Sequence, residues 1–191
     1  MSLQNITLIS FGYFDKEILE KTYEAVKQEF RCSVSLKEGH LDLSDFYDTT
    51  RRQYNGSILL KQVDLMAFPD SLKTLGLFNV DLFISILTFI FGQAFLGGRT
   101  GIASLYRLSN ERYGMTGNNQ FLVDRFNKEV IHELGHTFGL IHCHNSTCVM
   151  RSSTYVEDID QKEQHLCLRC RAELEMQTDY RNFSEDLANA K

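Results

Sequence analysis

The string H-E-x-x-H-x-x-G-x-x-H, running from His132 to His142, constrains this chain more than any other feature. Residues four apart on an α-helix lie about 40° from eclipsed and about 6 Å apart along the axis, so His132 and His136 share one face and can bite a single tetrahedral ion. Glu133 follows the first ligand and points to the cleft beside the metal, where it can polarise a bound water without ligating the ion. A helix that simply continued would carry His142 about 120° round the cylinder and about 9 Å further on, out of reach of that ion. The chain must therefore turn back, and Gly139 stands where a left-handed C-terminal cap would turn it. The segment reads as a helix, a glycine turn and a returning third ligand.

Directly behind it come Cys143, Cys148, Cys167 and Cys170, spaced C-x4-C, eighteen residues, then C-x2-C. Paired cysteines across such a loop read as a closed tetrathiolate site, most often structural zinc. Disulfides, a reactive C-x-x-C pair and an iron–sulfur cluster are the rival uses of the same residues. His144 and His165 flank the cysteines and are read as solvated bystanders, although either could replace a thiolate as ligand. Cys32 is left over and reads as a small core residue.

Taken together, the stretch "FNKEVIHELGHTFGL", the cysteines that follow His142, the C-x-M of Cys148 and Met150, and "LCLRC" resemble the archaemetzincins, zinc metallopeptidase-like proteins of the metzincin clan. The stretch "VDLFISILTFIFGQAFLGGRTGIASLYRL" is similar to that family's strand, edge strand and strand ahead of the helix. The resemblance implies that His132, His136 and His142 bind a catalytic zinc, that Glu133 is general base and acid, and that the four cysteines hold a second zinc. It also implies that Met150 lies in a Met-turn, a hydrophobic floor beneath the imidazoles. Position 152, two residues on, is Ser where some metzincins carry Tyr, and Tyr155 is out of register for that role. A rigid tetrathiolate clamp would fix both His142 and the Met-turn, because Cys143 adjoins the one and Cys148 precedes the other by two.

The rest of the chain fits a single metallopeptidase-like domain over 1–191, with an upper lobe to about 142 and a small zinc-clamped lower lobe from about 143. The expected fold class is α/β and metzincin-like, a mixed twisted sheet with the active-site helix in the upper lobe. "NITLISFG" and "CSVSL" read as strands, 15–30 and 43–55 as helices, and "SILLKQVDLMAF" as ambiguous between helix end and strand. Strands are expected near 80–85, 88–95 and 101–108, with a turn at "LGGRTG". The long helix ahead of His142 should be capped by Asn118 or Asn119, and another helix should lie around 168–178 before a frayed tail.

A net charge of −5 argues against nucleic acid as partner. The apolar run "DLFISILTFIFGQAFL" is interrupted by Asp81, Gly92 and Gln93 and is too short to cross a membrane. Five cysteines behind an N-terminus without a signal-peptide pattern point to a reducing cytoplasm, and a monomer is expected. The function these residues imply is hydrolysis of a peptide or protein substrate with two zinc ions per chain, the substrate lying extended beside an edge strand near 88–98. The alternative is a non-catalytic zinc-binding protein that keeps the fold and binds peptides or a partner.

Overall fold

A computed structural model describes residues 5–177. Among these, strands β1 (Asn5–Phe11), β2 (Ser33–Gly39), β5 (Lys73–Phe78), β8 (Gly92–Ala94) and β9 (Thr100–Ser104) form a five-stranded sheet in the order β2-β1-β5-β9-β8. All pairings in it are parallel except β8 against β9. A second sheet, β3 (Tyr47–Asp48), β4 (Gln53–Asn55), β6 (Leu82–Ile84) and β7 (Leu87–Ile90), runs in that order and is also mixed.

Strand alternation puts the two faces of the larger sheet to different uses. Ile6 and Leu8 of β1 and Leu75 and Leu77 of β5 pack with helices α1 (Lys16–Phe30) and α3 (Asn119–Thr137), whereas Ile9, Phe11 and Phe78 pack with helix α2 (Gly56–Leu65). Helices on both faces leave β5 buried at all six residues. Such a strand shows no polar alternation, and it is the central element that the sequence expectations lack. The larger core cluster takes side chains from both sides of position 142, from Ile6 to Leu174.

Most expected elements form where the pattern puts them. Asn118 caps α3 by accepting from the Phe121 amide at 3.0 Å, and residues 168–177 are helical. "SILLKQVDL" is helix, because Asn55 caps it through the Ile58 amide and Leu59, Leu60 and Val63 form its buried stripe. The expected helix at 43–55 is not formed. A short 3-10 turn (Ser44–Phe46) leads into β3, and the Asp48 carboxylate then accepts from the Thr50 and Arg51 amides, both at 2.9 Å. That Asx turn competes with helix, and Arg52 follows at φ 55° before β4 joins β6. The expected strand at 88–95 divides at Phe91 between the two sheets, and the one at 101–108 ends at Ser104.

A buried staple links α1 to the segment that carries the last two cysteines. The Glu29 carboxylate, 3% exposed, accepts from the Leu166 amide at 3.0 Å, from His165 Nδ1 at 2.8 Å and from Arg171. His165 is solvated, its side chain 63% exposed, and belongs to neither metal cluster, but its ring also bonds to α1 through Glu29. Glu29→Ala takes the carboxylate from the Arg171 charge, which keeps only the residue-29 backbone carbonyl, and leaves the Leu166 amide without its acceptor. It should lower the unfolding free energy by about 3 kcal/mol, read by urea denaturation, with faster hydrogen exchange at Leu166.

Candidate metal centre

Helix α3 ends in a double hydrogen-bonded turn. The Leu140 amide bonds the Gly135 carbonyl at 3.0 Å and the Gly139 amide bonds that of His136 at 2.9 Å, with Gly139 at φ 96°. This is the Schellman closure, and its left-handed residue carries no Cβ penalty when it is glycine. It folds His142 back over the helix. The ring centroids of His132 and His142 are 5.3 Å apart and those of His136 and His142 4.9 Å. One nitrogen from each of the three lies within 4.8 Å of the others.

The orientation of the first two rings is set by backbone. His132 Nδ1 lies 2.9 Å from the Val149 carbonyl and His136 Nδ1 lies 2.7 Å from the Leu140 carbonyl. A carbonyl can only accept, so both Nδ1 atoms carry the proton and both Nε2 atoms present lone pairs. Burial pushes all three imidazoles below the ordinary histidine range, most strongly His132, and Lys162 adds to the shift in each. They are neutral at pH 7. Two Nε2 lone pairs therefore face each other at 3.0 Å, an arrangement that repels unless a cation sits between them. The donor set fits a divalent ion that accepts imidazole, as zinc does.

Glu133, 5% exposed, points into a cleft of about 510 Å³ lined also by Phe89, Phe91, Gly92 and Tyr155. Burial raises its carboxyl well above the usual range; Glu129 one turn earlier adds to the rise and Lys162 opposes it. A cation on the histidines would act in the same direction as Lys162. Gly92, at the edge strand β8, lets the carboxylate come close: a Cβ there would stand 2.6 Å from Glu133 Cγ and 2.7 Å from the Ile102 carbonyl. Met150 is fully buried, its sulfur against the position a Gly135 side chain would take.

The four cysteines form a second cluster, with their sulfurs within 4.8 Å of one another. All five cysteines of the chain are free thiols. Cys143 Sγ and Cys167 Sγ are 3.8 Å apart, which matches the edge of a tetrahedron of sulfurs each about 2.3 Å from zinc. Amides of Asn145 and Cys167 donate to Cys143 and Cys148 Sγ, both at 3.4 Å. Burial pushes the Cys167 thiol up, but hydrogen bonds from the Cys170 backbone and the neighbouring thiols outweigh it and bring Cys167 to about 7; Cys170 is driven up. The Cys143 amide donates to the Met150 carbonyl at 2.9 Å, joining the cysteine cluster to the residue that follows Val149. Cys32 lies apart, its thiol raised by burial to about 11. His144 belongs to neither cluster.

Residues that the motifs do not announce complete the site. Glu129 and Tyr155 line the cleft, and Lys162 lies below it with a fully buried side chain.

Mixed sheets with a histidine- and glutamate-bearing helix closing one face define a metzincin-like peptidase fold. The chain belongs to peptidase family M54, whose family model matches residues 4–176. It is 35% identical over 175 residues to the archaemetzincin of Thermococcus kodakarensis, covering 88% of this chain and 94% of that one. To the archaemetzincin of Methanocaldococcus jannaschii it is 40% identical over 129 residues, 68% and 70% of the two chains. Its fold is similar to the crystal structure of archaemetzincin from Methanopyrus kandleri, with TM-score 0.82, 31% identity and coverage of 93% and 97%. It is also similar to a zinc-dependent peptidase from Methanocorpusculum labreanum, with TM-score 0.81, 27% identity and coverage of 88% and 99%.

Gly92→Ala tests the close approach of β8 to Glu133. Because one of the two clashing groups is a backbone carbonyl, relief requires strand movement, and the variant should lose about 1–3 kcal/mol of stability, read as a lower urea midpoint.

Proposed function

We propose that the protein is a zinc-dependent peptidase in which His132, His136 and His142 hold the catalytic ion, Glu133 is the general base, and Cys143, Cys148, Cys167 and Cys170 hold a second, structural zinc. The observation that carries this reading is the pair of carbonyl-oriented imidazoles whose Nε2 lone pairs converge at 3.0 Å beside a buried carboxylate in an open cleft. When bound, the histidine zinc supplies a Lewis acid that polarises the scissile carbonyl and activates water near neutral pH.

The chain's own residues supply the rest. Glu133 takes a proton from the attacking water and returns it to the nitrogen of the departing amine, a role that fits a carboxylate whose burial raises its proton affinity. Among the described residues β8 ends its sheet and pairs only with β9, so its second edge can take an extended peptide laid beside the cleft. Met150 and the cysteine cluster act as a support: they fix the chain that returns His142 and carries the Val149 carbonyl. Among the described residues no helix is long and apolar enough to cross a membrane, and cysteines kept as zinc ligands suit a reducing compartment such as the cytoplasm.

Peptide-library cleavage by the zinc-loaded protein tests this function. Glu133→Ala removes the proton acceptor and none of the ligands, so the variant should keep its zinc while hydrolysis falls by about 10²–10⁴-fold. His136→Ala should lose the histidine-bound zinc and the activity together. Equal cleavage by Glu133→Ala and the parent protein would end the reading.

A further inference from the structure

Lys162 is a buried cation that the proposed reaction does not use. Its side chain is fully buried, and it follows helix α4 (Val156–Asp160), whose last turn is closed by the Lys162 amide on the Ile159 carbonyl at 3.2 Å. An ammonium has three donors. Here three acceptors surround it: Glu129 Oε1 at 3.4 Å, the Val149 carbonyl at 3.3 Å and the Arg151 carbonyl at 3.0 Å. With its donors taken up, it has nothing to offer a substrate.

The two carbonyls flank Met150, and one of them is the carbonyl that orients His132. Val149 O accepts from His132 Nδ1 at 2.9 Å and from Lys162 Nζ at 3.3 Å, which uses both its lone pairs. We infer that Lys162 is a positioning residue for the histidine centre: it holds the Met150 turn at the carbonyls on either side and, through Val149, sets the orientation at which His132 presents Nε2. Glu129, on α3 one turn before His132 and Glu133, is the counter-ion that lets the ammonium remain in the interior. An uncompensated charge there would be expelled or neutralised. Residues that orient a ligating imidazole through its second nitrogen usually change metal affinity by about 10–100-fold when removed.

This inference rests on the proposed assignment of His132 as a zinc ligand. Removing Lys162 alone would strand the Glu129 charge and could unfold the chain, so the decisive variant is the double substitution Glu129→Gln with Lys162→Met, which is neutral and close in volume. It should fold and keep the cysteine-bound zinc, yet bind zinc at the histidines about 10–100-fold more weakly in chelator competition. In the unsubstituted protein, nuclear magnetic resonance should give a cross-peak between the Lys162 ammonium protons and the His132 Nδ1 proton, because both bond one oxygen. A folded double variant that binds zinc as tightly as the parent overturns the inference. So does a missing cross-peak. Failure of the proposed function shows differently, as an unsubstituted protein that takes up no zinc at its histidines while the cross-peak remains.

Discussion

Two imidazole nitrogens 3.0 Å apart, each held by a backbone carbonyl on the far side of its ring, form the donor pair on which the rest of the site depends. Burial disfavours the protonated rings, and each Nδ1 is tied to a carbonyl that can only accept. The two rings are thereby oriented with their Nε2 atoms towards a common point, where a nitrogen of His142 also lies within 4.8 Å.

Those two carbonyls come from different levels of the fold. Leu140 belongs to the glycine turn that closes α3, so His136 is oriented by its own helix end. Val149 lies seventeen residues from His132, and its place depends on tertiary structure. The Cys143–Met150 backbone bond and the packing of Met150 against Gly135 hold this segment, and the Val149 amide bonds the His165 carbonyl at 3.1 Å, next to the Leu166 amide that Glu29 holds. The cysteine cluster is thus coupled to the histidines by contiguous backbone, not by proximity alone.

What the sequence made legible follows from how local each constraint is. His132, Glu133, His136, Gly139 and His142 are readable because coordination chemistry and helix geometry act over eleven consecutive positions. The same holds for the cysteine pairs and for the α3 cap at Asn118. β5 escaped because burial on both faces erases the alternation that marks a strand. The segment 43–55 was misread as helix, since its conformation is decided by the Asp48 turn and by pairing with β6, a partner some thirty residues away. Glu129 and Lys162 are ordinary polar residues in the sequence, thirty-three positions apart, and only folding brings them together below the cleft. The same is true of Glu29 and Arg171, separated by 142 positions.

Anomalous diffraction at the zinc absorption edge, from crystals of the full chain grown without added metal, tests the central claim most directly. Two peaks are predicted: one about 2.0–2.1 Å from a nitrogen of each of His132, His136 and His142, and one about 2.3 Å from each of the four cysteine sulfurs. A single peak at the cysteines, with the histidine nitrogens still facing one another after zinc is supplied, would contradict it.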